Sequence, residues 1–279
     1  MRVWSIGIYT GASPHCLAPH PDAVNPVLTA AHVTDCPATF VADPFMLQAG
    51  GAWYMFFELM AASGIGAIGL ASSADALSWR YQRIVLQEPF HLSYPHVFEW
   101  GGEYFMTPET LAAGAVRLYR ADPFPFRWTP VADLVTGSLA DPSLFRHRDR
   151  WWLLACGAPY AHDSLRLFES RELGRGWAES AISPLIEGDR RTARPAGRVT
   201  EHQGNLIRFA QDCHPYYGAA VRAFAMESFP ESLRERELPH PVLDSAGAEW
   251  SSAGMHHVDP HRQPDGGWIA CVDGAQRIG

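Results

Sequence analysis

Two Asp-Pro steps, Asp43-Pro44 and Asp141-Pro142, and four carboxylates that each close an apolar run, Glu58, Glu109, Asp212 and Asp273, are the side chains of this sequence best suited to chemistry. Carboxyl groups gathered in one concavity perform general acid–base catalysis: an ionised one takes a proton while another, held protonated, gives one. Taken singly, none of them demands that role. Asp before Pro is a common turn residue, and a strand end is an ordinary place for a solvated carboxylate. What they require is a fold that brings these six positions together.

That fold is written into the chain as a repeat. Residues 43–58 (DPFMLQAGGAWYMFFE), 94–109 (YPHVFEWGGEYFMTPE) and 141–156 (DPSLFRHRDRWWLLAC) each give a proline-led strand, a Gly-rich or charged turn and an aromatic strand. A fourth copy covers 194–212 (RPAGRVTEHQGNLIRFAQD) and a weaker fifth covers 256–273 (HHVDPHRQPDGGWIACVD). The leading prolines Pro44, Pro95, Pro142 and Pro195 are 51, 47 and 53 residues apart. Self-similarity at roughly 40–50 residues is the signature of a propeller. Between copies come a further strand and an outer strand marked by Trp79, Trp128 or Trp177, giving the four strands of a blade.

The expected fold is therefore all-β: a five-bladed β-propeller forming one domain over 1–279, with blades starting near 43, 94, 141, 194 and 256. The fifth copy stops too early to complete its own blade. The apolar N-terminal strand, residues 1–11, is expected to complete it and close the ring, which leaves no wide sheet edge exposed. Residues 12–42 are expected to cross to the first blade as an irregular segment.

In a propeller the innermost strand of each blade lines the central channel and the second returns antiparallel to it. Strand starts and second-strand ends then share one face of the disc. This places Asp43, Tyr94, Asp141 and Arg194 around one funnel with Glu58, Glu109, Asp212 and Asp273, and His91, His96, Gln211, His256 and His257 fall nearby. A buried charge costs several kcal/mol unless it is paired, so a merely structural ring has no use for this many. The two adjacent histidines of one strand point to opposite faces, which argues against their sharing a metal ion.

Composition narrows the partners. With 47% hydrophobic residues, 24 glycines and 22 prolines in 279 residues, the chain is a folded, turn-rich protein. Its net charge of −8 opposes nucleic acid and anionic membranes, which need a basic face, and suits a small neutral or cationic ligand. Five cysteines are scattered without C-x-x-C spacing, and no stretch reads as a signal peptide or membrane span, so a reduced, cytoplasmic protein is the expectation. No phosphate loop, nucleotide fingerprint or Ser-His-Asp motif stands out. The oligomeric state is left open.

A five-bladed propeller with Asp-Pro opening its first and third blades resembles the glycoside hydrolases of families 43, 62, 32 and 117. The strings at 91–110 (HLSYPHVFEWGGEYFMTPET), 141–155 and 193–213 (ARPAGRVTEHQGNLIRFAQDC) are similar to the propeller at the N-terminus of plant glucosamine inositolphosphorylceramide transferases and its bacterial stand-alone relatives. The hydrolase resemblance implies Asp43 as general base and Asp141 as the residue that tunes and orients the acid. It implies a Glu opening the fourth blade, where this chain has Arg194. The acid then falls to Glu109, with Asp212 as the alternative. Glu58, His91, Tyr94, His96, Arg194, Gln211, Asp212, His257 and Asp273 are expected to line the substrate, and Tyr94, Trp100, Tyr216 and Tyr217 to offer faces for sugar rings.

An inverting glycosidase separates its two carboxyl groups by about 6.5–9.5 Å, and the resemblance implies inversion. It also implies a calcium ion in the central channel beside His257, though no cofactor is required by the chemistry. Two other readings keep the same funnel. One is a cyclase, lyase or isomerase of small-molecule biosynthesis, with a carboxylate and a His as base and acid. The other is a carbohydrate-binding propeller without catalysis.

Overall fold

The computed structural model describes residues 1–239, 241–245 and 248–278. Alternating apolar and polar runs separated by Gly, Asn and Asp turns give antiparallel sheets, and these stand as five blades. From the centre outward, blade one is Ala38–Ala49, Ala52–Ala61, Gly66–Ser73 and Arg80–Leu86. Blade two is Ser93–Trp100, Glu103–Glu109, Ala115–Ala121 and Trp128–Thr136. Blade three is Ala140–His147, Arg150–Cys156, Ser164–Ser170 and the short pieces Ala178–Glu179 and Ile186–Glu187.

The inner strand of blade four is broken into Arg194–Pro195 and Thr200–His202; Asn205–Asp212, Ala220–Met226, and the outer pieces Glu235–Glu237 and Leu243–Asp244 follow. Blade five takes Val258–Arg262 and Trp268–Arg277 from the end of the chain. It takes Arg2–Ser13 and Cys16–Pro19 from the beginning, with Ile6 opposite Asp273 in the closing pair. The closure by the N-terminal strand is thus as the repeat implied. The crossing segment is shorter than expected, because Cys16–Pro19 supplies the outer strand of blade five and strand order resumes at Ala38. No helix is long and apolar enough to cross a membrane.

The blades are held by apolar faces pressed together. Phe45, Phe56, Ile68 and Leu70 of blade one meet Val97, Met106, Tyr119 and Trp128 of blade two in one buried cluster. Each such side chain contributes about 1.5–3 kcal/mol on burial. The tryptophans that recur between copies do the same thing in the first three blades. Trp79, Trp128 and Trp177 each donate an indole N–H to a carbonyl three or four residues upstream, fixing the entry to the outer strand.

Below the funnel, the channel is filled by side chains from every blade. Phe45, Tyr94, His96 and His257 pack as aromatic neighbours. Arg198 reaches across from blade four to Asp259 at 2.6 Å and to the carbonyls of Met46 and Val97 at 3.3 and 3.1 Å. The break in blade four exists for these crossings. Gly197 there receives Ser143 Oγ–H on its carbonyl at 2.9 Å and donates its N–H to the Tyr94 hydroxyl at 2.6 Å.

At φ +142°, a Cβ on Gly197 would lie 1.8 Å from the carbonyl oxygen of Val258. Gly197→Ala is expected to destabilise the protein by about 3 kcal/mol or more. A urea midpoint equal to that of the parent protein would contradict this account of the channel.

Candidate active site

Asp43, Tyr94 and Asp141 occupy equivalent places. Each, with the proline after it, forms a bulge in which two residues oppose one on the returning strand. Their φ values of +49°, +48° and +52° lie in the left-handed region, which costs about 1–3 kcal/mol for a residue other than glycine. Bulges of this kind re-aim a side chain. Arg194 opens the fourth inner strand without a bulge, facing Gln211, because the irregularity of that blade has moved to Gly197. Facing strand ends supply Glu58 opposite Ala42 and Glu109 opposite Ser93, while blade three has Cys156 in the corresponding place.

One half of the funnel is organised around Asp141, which is 2% exposed. Arg194 Nε and Gln211 Nε2 donate to its Oδ2 at 2.6 and 2.7 Å. The Arg194 guanidinium also donates to the carbonyl of Pro159 and to His162 Nδ1, both at 2.9 Å, and lies over the ring of Tyr217. His162 accepts as a neutral ring, since burial and the Arg194 charge pull its pKa down to about 4.

The backbone N–H of Asp141 donates to Glu109 Oε2 at 3.1 Å, and Arg194 Nη2 is 3.6 Å from the same oxygen. Burial, then the Asp141 charge, push Glu109 up to about 8, with Arg194 opposing. Glu109 is therefore a protonated carboxylic acid at neutral pH, oriented by the backbone of the residue whose charge sustains its proton.

The other half is organised around Asp273, which is fully buried. Its Oδ2 accepts the backbone N–H of Asp43 at 3.0 Å, and its Oδ1 accepts those of His256 and His257 at 3.1 and 3.0 Å. His256 Nδ1 adds a fourth bond at 2.8 Å. Burial raises the Asp273 pKa, but His256, His257 and the Asp43 N–H overcome it, and the net shift is downward. Asp43 itself has no hydrogen-bond partner on Oδ1 among the described residues. Burial first, then Glu58, Asp141, Asp273 and Glu109, raise its proton affinity well above the usual carboxylate range.

The structure thus gathers Asp43, Glu109, Asp141, Arg194, Gln211 and Asp273 as expected. Glu58 lies close enough to act on Asp43 and is held by His91 Nε2 at 3.3 Å, while His91 Nδ1 accepts the N–H of Gly66. Tyr94, His96 and His257 are channel wall beneath the funnel. The Tyr94 hydroxyl is spent on Ser143 and Gly197, and His96 Nδ1 on the N–H of Leu144.

Asp212 is placed differently from expectation. It is taken by Arg222 Nε at 2.9 Å and by the N–H of His214 at 3.0 Å. Trp100 ends the inner strand that Tyr94 begins, about 20 Å away by strand rise, where it meets Trp151 and Arg146. It belongs to the opposite end of the blade. Tyr217 stands at the site, under the Arg194 guanidinium and edge-on to His256, while Tyr216 lies under Arg2.

The residues around His257 do not fit calcium, which takes six to eight oxygen ligands. The His257 ring is packed against Phe45 and Tyr94, and the carboxylate nearest its nitrogens is Asp43, at 3.8 Å. Asp273 has its oxygens committed to N–H donors. Two contributors lie outside the repeated strings: His162 is on the loop between Arg150–Cys156 and Ser164–Ser170, and Trp4, stacked on His256 at 4.0 Å, comes from the closing strand. The polar stretch around His162 carries no motif, and the apolar string around Trp4 reads only as a strand.

The sequence matches the family described as glucosamine inositolphosphorylceramide transferase 1, N-terminal, over residues 2–275. It is 34% identical over 295 residues to glucosamine inositolphosphorylceramide transferase 1 of Oryza sativa subsp. japonica, covering 97% of this chain and 40% of that protein. With the Arabidopsis thaliana protein of the same name it shares 33% over 296 residues, covering 97% and 39%. The chain thus spans about two fifths of the length of these relatives.

Among solved structures, the catalytic domain of the Coprinopsis cinerea family 62 α-L-arabinofuranosidase matches with a TM-score of 0.66 at 12% identity, covering 96% of this chain and 97% of that one. The Cellvibrio cellulosa α-L-arabinanase matches at 0.55 and 14%, covering 72% and 78%. At these identities the likeness is one of fold. The match over nearly the whole sequence, and the identity to the plant proteins, place this chain in the family of glucosamine inositolphosphorylceramide transferase 1 N-terminal propellers.

Proposed function

We propose that this chain is a sugar-processing enzyme of glycosidase-like chemistry, with Asp43 as general base and Glu109 as general acid. The observation that carries the reading is Glu109, held protonated up to about 8 in the same buried funnel as Asp43. Glycoside chemistry requires one ionised and one protonated carboxyl group; both are raised here, so the working form is the fraction in which Asp43 has lost its proton while Glu109 keeps its own. Asp43 removes a proton from the incoming hydroxyl or water. Glu109 delivers its proton to the leaving oxygen and takes a new one from solvent once product leaves, a step the Asp141 charge favours. Arg194 and Gln211 hold Asp141 still. The substrate class is supported by the relatives, whose name refers to glucosamine, and by fold neighbours that act on arabinose-containing glycans.

A proton NMR time course with a panel of glycosides and sugar-bearing metabolites tests this. New anomeric signals are the expected result, and their initial configuration tells inversion from retention. Sugar binding without any product across the panel would replace the catalytic reading with recognition. A product that has lost or rearranged bonds without water uptake would replace it with lyase or isomerase chemistry.

A further inference from the structure

His256 is the best-supported titratable side chain of the funnel to which the acid–base scheme of Asp43 and Glu109 gives no role. Its ring is fixed on three sides. Nδ1 is 2.8 Å from Asp273, one face stacks on Trp4 at 4.0 Å with an interplanar angle of 24°, and Tyr217 meets it edge-on at 5.2 Å. Gly218 closes the remaining space, since a Cβ there would come within 2.9 Å of Trp4 and 3.1 Å of His256. With Nδ1–H committed to a buried carboxylate, the free nitrogen is Nε2, and it faces Asp43 Oδ1 at 3.6 Å. That oxygen is the one left without a partner. The same Asp273 carboxylate also holds the backbone of Asp43, so base and histidine are aligned by one group.

We propose that Asp273 and His256 form a proton relay behind Asp43, in which the proton that Asp43 takes from the nucleophile passes to His256 Nε2; this rests on the reading of Asp43 as the base. The O–H bond of the nucleophile breaks as an O–H bond forms on Asp43. That bond breaks in turn as Nε2–H forms, and the imidazolium sits between two carboxylates with Asp43 ionised again. No electron changes hands and no co-reactant is needed. The 3.6 Å gap exceeds a hydrogen bond, and a rotation of the Asp43 carboxyl closes it, as catalytic contacts tighten when ligand binds.

The groups facing His256 agree with the assignment: Asp43 from blade one, Asp273 and His257 from its own blade, Tyr217 from blade four, and Trp4 from the closing strand with Arg2 beyond it. Burial and four neighbouring carboxylates drive Asp43 toward its protonated form, and a cation at Nε2 is what restores the ionised one. His256 is in this sense a positioning residue, acting through Asp43.

The test needs no substrate, so its outcome is independent of whether glycosides prove to be the ligands. Protein labelled with carbon-13 at the aspartate carboxyls is titrated by NMR, the Asp43 resonance being the one missing from Asp43→Asn. In His256→Asn the side-chain amide still donates to Asp273 in place of Nδ1, and nothing stands at Nε2. The Asp43 midpoint is expected to rise by about one pH unit or more, tenfold in proton affinity. An unchanged midpoint in folded His256→Asn protein overturns the relay. Should that variant fail to fold, His256→Phe, which keeps a ring against Trp4 and has no nitrogen at either position, is titrated in its place and judged by the same shift.

Discussion

Asp43→Asn is expected to abolish turnover of any glycoside found to be a substrate and to leave the propeller folded. General-base catalysis contributes about 10²–10⁴ in rate. Nothing replaces it here, because Asp43 Oδ1 is the only buried carboxylate oxygen without a partner among the described residues. The fold survives because asparagine is among the few residues that tolerate the left-handed backbone which Asp43 adopts at φ +49°. The N–H to Asp273 bond is a backbone bond and is untouched.

Stability sharpens the test. Asp43 has its folded pKa raised, so the native state holds a proton there that the unfolded chain has released, and the parent protein loses stability as pH rises through that window. The neutral amide removes this loss. Asp43→Asn should therefore melt higher than the parent protein at neutral pH and match it below about pH 4, where unfolded aspartates are protonated too. Activity retained in a variant with this melting behaviour would show that Asp43 is not the base.

The fold was legible because a propeller repeats its grammar. Proline-led inner strands at 44, 95, 142 and 195, and tryptophans entering the outer strands, recur at blade spacing. The register of those repeats was enough to bring Asp43, Glu109, Asp141, Arg194, Gln211 and Asp273 to one funnel. It stopped short of side-chain partners. Asp212 follows the same alignment as Glu109, yet Arg222, two residues along the next strand and on the same face, claims it.

Glu109 escapes such a partner because the residues near it across the blade boundary are Asp141 and an Arg194 already committed to Asp141. The loop histidine His162 and the stacking partner of His256, Trp4, come from segments outside the repeat, one on a loop between strands and the other on the closing strand. The repeat places His256 but carries no sign of either neighbour. Where the sequence lacks a blade-four Glu, Arg194 pairs with Asp141. Under the proposed function the acid is then Glu109, one blade earlier than Asp141.

Glu109→Gln is the variant that separates this rearranged acid from an ordinary structural carboxylate. The amide keeps an oxygen for the N–H of Asp141, so the geometry holds while the transferable proton is gone. Turnover of a glycoside with a poor leaving group, such as an alkyl or sugar aglycone, should fall about 10²–10⁴-fold. An aryl glycoside whose leaving group needs no proton should be spared most of that loss. In the parent protein the rate should decline above pH 8 as Glu109 gives up its proton, and the variant should lack that decline.

Stability follows the same proton. A folded pKa of about 8 against the ordinary 4.5 of the unfolded chain means that stability present at acid pH is lost between those values. The full loss is on the order of 5 kcal/mol as an upper bound. Glu109→Gln should accordingly raise the melting temperature at pH 9 and leave it unchanged at pH 4. Equal losses of rate for both leaving groups would reduce Glu109 to a binding residue. A melting difference independent of pH would mean that its carboxyl is ionised at neutrality, and the acid would have to be sought elsewhere in the funnel.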